Sequence, residues 1–433
     1  MTQNYRRLAA ILLTSTLALA GSAANAQDSS TQGAGQSQTQ SQEQAAEPSR
    51  NATFLDLQAG LGFASNPDLR INGDSSAFGR ISASGYHAWS SETGVISLRG
   101  YIENTTYLKH YGSEQIWSLG AATTQQLSPT VTVFGDLGFS GDFGGQLSNR
   151  FLYNPGDPVL PDPTNPLPDP VINPDLFGIN GRQYRLSASA GASIRSGPRS
   201  SISLTGGVAH AFSSGDNEDA DYTSYFGNAA YSRQISERTN AGASISVARQ
   251  DFKQGGSSTT VNPAVFANTQ LSEELSAEGS IGVMRINQDF DGHSDSSTAL
   301  SFSGSLCNAT ESSRFCGRVS RDATTGLTSA VLGGETQAAI TTSASLSYSR
   351  TLSANDSIQA SLSASRYRTA ASIEGLDDPE STYVSGVIGY DRNIGARLFG
   401  GVQGGMRKLF QTGPDSDIDF NATVYLRYRL GDL

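Results

Sequence analysis

The sequence predicts an all-β fold: an antiparallel, up-and-down transmembrane β-barrel of eighteen strands. Three observations support this prediction. Residues 419–430 place an apolar side chain at every even position and a polar or amphipathic one at every odd position. Similar alternation recurs along the chain, in segments longer than the five or six residues usual for soluble strands. A secretory signal precedes them, and alternation over about ten residues is typical of strands with one face toward lipid.

The composition agrees with this fold class and excludes others. The 433 residues include 47 Gly, and only 16% are charged, with 29 Lys+Arg against 40 Asp+Glu. No internal stretch approaches the roughly eighteen consecutive apolar residues that a membrane helix needs. A membrane strand meets lipid only at alternate residues, so its average hydropathy stays low. The acidic balance argues against a nucleic-acid partner, which requires a basic face.

The N-terminus has the three parts of a secretory signal peptide. Arg6 and Arg7 form the charged part, residues 8–20 form the apolar part, and an A-x-A site ends at Ala26. Cleavage is expected before Gln27, and the apolar part is too short for a membrane anchor. The segment that follows lacks aromatic residues and cannot bury enough apolar surface to fold. The predicted division is a signal peptide at 1–26, a disordered Gln- and Ser-rich periplasmic tail at 27–50, and an outer-membrane barrel at 51–433.

The strand number follows from alternation and from parity. Clear segments lie at 52–64, 77–90, 94–106, 114–126, 130–142, 183–195, 200–212, 221–234, 239–251, 259–271, 275–287, 297–307, 337–351, 356–369, 381–393, 396–410 and 418–430. These are seventeen, but bacterial single-chain barrels have even strand numbers. A weak strand at 314–320 restores the alternation of short periplasmic links with long extracellular ones. Eighteen strands are therefore predicted, with sixteen as the alternative.

A short motif marks the predicted periplasmic turns. An apolar residue followed by Ser or Gly closes one strand shortly before the next begins. The motif occurs at Leu127-Ser128, Ile235-Ser236, Leu271-Ser272, Leu352-Ser353 and Ile394-Gly395.

The two cysteines support the inserted strand. Cys307 ends one strand and Cys316 lies in the weak one, both on the polar register. Facing positions across a hairpin can meet disulfide geometry, and the oxidising periplasm preserves such a bond. A disulfide between them near the periplasmic rim is predicted. A metal-binding pair is the alternative, although no His lies nearby.

The longest link, residues 143–182, is predicted to be the third extracellular loop. It holds eight of the fifteen prolines, and proline-rich chain cannot form barrel wall. Two interpretations stay open: a constriction folded into the pore, as in general porins, or a surface loop that shields the mouth or binds phage. The candidate constriction residues are Pro161, Asp162, Pro163, Pro168, Asp169 and Pro170.

Other predicted loops are acidic. The clusters include Asp216, Glu218, Asp219 and Asp221; Asp289, Asp291 and Asp295; Asp377, Asp378 and Glu380; and Asp415, Asp417 and Asp419. The favoured interpretation is solvated carboxylates among lipopolysaccharide phosphates. A dedicated Ca²⁺ site is the alternative, but no cluster has the spacing of an EF-hand loop.

Catalytic signatures do not emerge from the sequence. The histidines are His87, His110, His210 and His293. None belongs to an HExxH motif, and no G-x-S-x-G elbow occurs. The chain is therefore predicted not to be an enzyme, with no cofactor and no metal site.

The signal peptide, the Gln/Ser-rich tail, the turns at Leu127-Ser128 and Ile235-Ser236, the Cys307 to Cys316 hairpin and the alternating last strand together resemble proteobacterial outer-membrane proteins of the β-barrel porin family. The resemblance covers about residues 51–433. It implies insertion by the barrel assembly machinery. Many such proteins end in Phe or Trp, whereas this one ends in Leu433, so Tyr428 and Leu430 are the candidate recognition residues.

These inferences predict a hydrated channel for the passive diffusion of small polar solutes. The candidate lumen-lining residues are Arg185, Ser187, Arg195, Ser343, Ser345, Gln359, Tyr425, Arg427 and Arg429. Selectivity would come from pore width and wall charge. Outer-membrane lipid and lipopolysaccharide are the expected surroundings. The alternative is a non-enzymatic barrel that assists exopolysaccharide export or surface anchoring, with export components as partners, as the resemblance implies for some members.

Overall fold

A computed structural model of the protein describes residues 52–67, 69, 72–109, 111–143, 182–214, 221–253, 255–290, 293–325, 338–369, 380–411 and 416–432. The predicted signal peptide and tail lie outside these residues, as does nearly all of the proline-rich link. Along the described stretches, no helix is long and apolar enough to cross a bilayer.

The fold is a closed ring of eighteen antiparallel strands, which confirms the predicted count. Each strand pairs with its neighbours in sequence, and β1 pairs with β18 to close the ring. The strands are β1 Ala52–Ala64, β2 Ser76–Ser91, β3 Gly94–Tyr107, β4 Ser113–Ser128, β5 Val131–Phe143, β6 Arg182–Gly197, β7 Ser200–Ser214, β8 Tyr222–Ser236, β9 Thr239–Phe252, β10 Ser257–Gln270, β11 Leu275–Phe290, β12 His293–Ala309, β13 Ser313–Thr325, β14 Ala338–Ser353, β15 Asp356–Thr369, β16 Glu380–Gly395, β17 Leu398–Gln411 and β18 Asp419–Asp432.

The two faces of the barrel differ in the way that strand alternation predicts. On β18, Val424 and Leu426 point outward and are 60% and 54% exposed. The odd-numbered residues beside them point inward, and Thr423 and Arg427 are 6% and 9% exposed. Successive side chains of a strand point to opposite faces, so this pattern gives an apolar outer face and a polar inner wall.

The short-turn motif has a structural reason. At Leu127, Ile235, Leu352 and Ile394 the strand register shifts by one residue, as in a β-bulge. The residue at each shift stays unpaired and exposes more than half of its side chain on the outside. The motif therefore presents an apolar residue at the rim formed by the short turns.

The weak strand predicted at 314–320 is present as β13. It pairs with β12 and β14, and Cys307 lies directly opposite Cys316. The two cysteines form a disulfide, with Cα atoms 4.1 Å apart, which confirms the predicted bond. Both side chains are buried on the inner face.

Aromatic side chains form two belts on the outer face. Near the long links, Trp117 packs against Phe139 at 4.7 Å and Tyr184 stacks on Phe212 at 5.0 Å, between ring centroids. Near the short turns, the exposed aromatic residues include Trp89, Tyr231, Phe315 and Tyr428. An apolar band between two aromatic girdles is typical of a barrel that crosses a membrane.

Candidate functional site

The inner wall is the candidate site, because it is the polar face of the described barrel and surrounds its interior. All nine candidate lumen-lining residues lie on this wall. Apolar residues at the alternate positions of the same strands, such as Leu186, Leu346 and Leu362, point outward and are exposed. Arg195 differs from the rest, because it lies beside the register shift at the short-turn end of β6 and is exposed. Their role in conduction is treated below as a proposal.

One part of the inner wall is built from ion pairs, and we call it the charged wall. It comprises the inner faces of β17, β18 and β1–β5. Its ion pairs are Arg407–Asp419 at 2.6 Å, Arg429–Asp56 at 2.5 Å, Arg80–Glu103 at 3.3 Å and Arg99–Asp136 at 3.4 Å. Because the cation of each of these pairs lies beside a carboxylate, the wall carries dense but largely compensated charge.

The pair Arg429–Asp56 joins the first and last strands. Arg429 donates to both carboxylate oxygens of Asp56, at 2.6 and 2.5 Å, and both side chains are buried. The guanidinium also lies 4.7 Å from the ring centroid of Phe54. A bidentate pair fixes geometry as well as charge. Arg429 therefore reinforces the β1–β18 pairing that closes the ring, and it is not an exposed cation of the lumen.

A second part, the serine wall, comprises the inner faces of β11–β16. Serine hydroxyls bridge adjacent strands there, each pair 2.7 Å apart. The pairs are Ser280–Ser303, Ser320–Ser343 and Ser363–Ser385. Ser343, one of the predicted lumen residues, thus hydrogen-bonds to Ser320. The sequence pattern alone does not indicate this pair. This wall is polar without carrying charge at these positions.

The first long link, residues 65–75, is held at the end of the charged wall. Asp419 accepts a hydrogen bond from the Asn66 backbone N–H at 2.8 Å, and Arg407 donates to the Pro67 carbonyl at 3.2 Å. The Asp417 carboxylate accepts from the Asn72 N–H at 2.7 Å. The sequence interpretation of Asp419 as a solvated loop carboxylate is wrong, because Asp419 is fully buried and paired with Arg407. Asp417 is exposed, as that interpretation expects, although it also bonds to this link.

Leu69, in the same link, packs against the inner face of three strands at the end of the chain. Its side chain is buried against Tyr367, Tyr383 and Leu409, which point inward from β15, β16 and β17. Leu69 has a φ of 51°, a left-handed conformation that is unfavourable for a bulky residue. The burial of Leu69 against these side chains offsets this cost and anchors Leu69 to the inner face. Sequence reasoning missed it, because only the positive φ and the inward contacts reveal it.

The second link at this end of the barrel joins β3 to β4 at residues 108–112, and it is tied to the first. The Tyr111 hydroxyl donates to the Asp74 carbonyl. The Tyr111 ring packs against Tyr107, with centroids 5.7 Å apart, and Tyr107 packs against Phe78 at 5.6 Å. These contacts connect both links to the inner faces of β2 and β3. The mouth of the barrel is therefore narrowed on this side by packed, hydrogen-bonded chain.

Glycines on the inner wall accept aromatic rings from neighbouring strands. Rings lie directly over Gly62, Gly191, Gly207, Gly242 and Gly401, where a Cβ atom would overlap them. Phe134 covers Gly191, for example, so its ring lies along the wall instead of projecting across the lumen. Glycine is required at such positions because only a hydrogen allows the close approach.

The two histidines whose side chains the structure describes lie on the outer face, away from this wall. His87 bonds to the Thr53 hydroxyl at 2.5 Å and packs on Trp89, on the outer face. His210 bonds to Thr223 at 2.9 Å, also on the outer face. The side chains of His110 and His293 lie outside the described residues. Among the residues that the structure describes, no three His, Cys, Asp or Glu side chains come together as a metal site would require.

Comparison with known proteins gives structural similarity only. No family model matches the chain, and no curated protein matches it. Pseudomonas aeruginosa OpdL is 12% identical with a TM-score of 0.44, covering 88% of this chain and 99% of that one. P. aeruginosa OccK2 (OpdF), solved with glucuronate, is 10% identical with a TM-score of 0.44, covering 88% and 98%. The FrpB iron transporter from Neisseria meningitidis is 12% identical with a TM-score of 0.45, covering 85% and 63%.

Proposed function

We propose that the protein is an outer-membrane channel for the passive diffusion of small polar solutes. The observation that carries the proposal is the closed ring of eighteen strands with a polar inner wall and an apolar outer face. Barrels of sixteen to eighteen strands are wide enough to leave an aqueous channel. The two aromatic belts on the outside support placement of the barrel in a membrane.

The mechanism is selection by width and wall polarity. Ser345 and Gln359, which are partly exposed on the inner face, are proposed to meet solute as hydrogen-bonding groups of the wall. The partly exposed ion pairs of the charged wall, Arg80–Glu103 and Arg99–Asp136, favour polar over apolar solutes, since paired charges still present hydrogen-bonding atoms. The first link narrows the entrance on one side, so it limits the size of what enters. The six candidate constriction residues from Pro161 to Pro170 lie outside the described residues. Their role in narrowing the pore stays a prediction.

The targeting steps belong to the same proposal. We expect export through residues 1–26, a mature chain beginning at Gln27, and insertion by the barrel assembly machinery into a membrane containing lipopolysaccharide. The alternative, a barrel that assists polysaccharide export or anchoring, predicts a folded protein without channel activity.

Planar-bilayer recording of the purified chain tests the proposal. Stepwise conductance is expected from the wild type. Leu69→Ser weakens the packing of the first link and should raise single-channel conductance. Leu108→Ser is the matched control and should leave conductance unchanged, because Leu108 in the second link is 78% exposed. A folded protein that never conducts would overturn the channel and favour the export or anchoring role.

A further inference from the structure

Basic side chains form a row on the outer face, at the end of the barrel that carries the long links. Within the described residues they occur on alternate strands, from β9 to β17. The cations are Arg249 on β9, Arg285 on β11, Arg321 on β13, Arg366 and Arg368 on β15, and Lys408 on β17. We call this set the cationic row.

The outward direction of these side chains follows from their neighbours on the same strands. Val247 on β9, Val283 on β11 and Val319 on β13 each lie two residues away from a cation of the row and are about half exposed on the outside. Side chains two apart on a strand share a face. The row therefore lies at the edge of the apolar outer band, where it meets the polar zone.

Threonines lie between the cations on the intervening strands. Thr342 of β14 lies directly opposite both Arg321 and Arg366, and Arg366 is also opposite Thr382 of β16. Arg321 and Arg366 are two strands apart, or about 10 Å at the usual strand spacing. This part of the outer face thus offers guanidinium and hydroxyl donors in one band. The distance between the two arginines is comparable to the length of a disaccharide.

Part of this charge is compensated within the row. Arg366 pairs with Glu380 at 2.6 Å, and Arg249 pairs with Asp251 at 2.9 Å. Asp289 is a third carboxylate near the same end. Six cations against three carboxylates leave an excess of positive charge among the described residues of this band.

We propose that the cationic row binds the phosphorylated glucosamine head group of lipopolysaccharide in the outer leaflet. Arginine recognises phosphate with two parallel hydrogen bonds, and threonine hydroxyls can donate to phosphate or sugar oxygens. The long links of a bacterial barrel face the exterior, so the row lies at the depth of the outer-leaflet head groups. This inference rests on the membrane placement proposed above, and not on conduction.

Binding of lipid A to the purified full chain in detergent tests the assignment. The triple variant Arg321→Gln/Arg366→Gln/Lys408→Gln should lower the affinity for diphosphorylated lipid A by about a hundredfold, since three charges near the surface are removed. The matched control is Arg233→Gln/Arg350→Gln/Arg392→Gln, which removes three outward arginines at the short-turn end. Its affinity should stay within a factor of about two of the wild type. Migration of unheated protein on gels and circular dichroism establish that each variant is folded.

Three outcomes would overturn the assignment: an equal loss in the control variant, equal binding of lipid A lacking both phosphates, or phosphatidylglycerol binding as tightly as lipid A. Conductance recorded on the same preparations keeps the two proposals separate. A channel that conducts without binding lipid A refutes only the lipid site. A silent barrel that binds lipid A through this row refutes only the channel.

Discussion

The charged wall and the serine wall are two solutions to one requirement, a polar surface inside a closed barrel. The charged wall uses buried ion pairs such as Arg407–Asp419, with side chains 1% and 0% exposed. The serine wall uses hydroxyl pairs such as Ser363–Ser385, also buried. Losing one member of a buried ion pair leaves an uncompensated charge, whereas losing one hydroxyl leaves only a weaker polar group unsatisfied. The two walls should therefore differ in how sharply they respond to single substitutions.

The largest effect is expected from Arg407→Ala. It leaves Asp419 buried without its cation, which should destabilise the barrel by about 3–5 kcal/mol and free the Pro67 carbonyl. Urea unfolding measures the stability, and bilayer recording should show a higher conductance as the first link loosens.

The double variant Arg407→Ala/Asp419→Ala is the control for this prediction. It removes both charges, so it should be less destabilised than the single variant. Equal stability of Arg407→Ala and the wild type would show that the pair does not hold the mouth together.

An intermediate effect is expected from removal of the disulfide on the serine wall. Cys307→Ser/Cys316→Ser removes a crosslink that spans nine residues in sequence. Loss of this constraint on the unfolded chain should lower stability by about 2–3 kcal/mol. The urea midpoint of the variant, compared with that of the oxidised wild type, measures this loss, and the reduced wild type should match the variant. If reduction leaves the wild-type midpoint unchanged, the crosslink contributes nothing to the wall.

The smallest effect is expected from Ser363→Ala. It leaves the buried Ser385 hydroxyl without its partner and should cost about 1 kcal/mol by the same urea measurement. Ser363→Ala/Ser385→Ala removes both hydroxyls and should lie closer to the wild type. A loss as large as that of Arg407→Ala would abolish the proposed difference between the walls.

Much of the barrel was predictable because its signal is local. Alternation with period two identifies each strand and its outward face, and parity required an eighteenth strand where the pattern was weak, at residues 314–320. The disulfide followed from the same register, since Cys307 and Cys316 fall opposite each other across one hairpin. The inward direction of Arg427 could likewise be assigned from its neighbours alone.

The contacts at the site could not be assigned in this way. Arg429 and Asp56 are 373 residues apart, and they meet only because the ring closes with one particular register. Asp419 looked like a solvated loop carboxylate, yet it holds Arg407 and the Asn66 N–H together. Pairing of this kind depends on depth along the barrel and on register between strands, and neither has a local pattern in the sequence.

By itself, the sequence determined an eighteen-strand barrel with a wet interior and an apolar exterior, because side-chain direction in a strand depends only on position along the chain. The tertiary structure alone decided which charges neutralise each other, that the first link crosses the mouth, and that basic residues of five separate strands form one outer row. Each of these requires residues distant in sequence to reach the same height on the ring, which only closure of the barrel establishes.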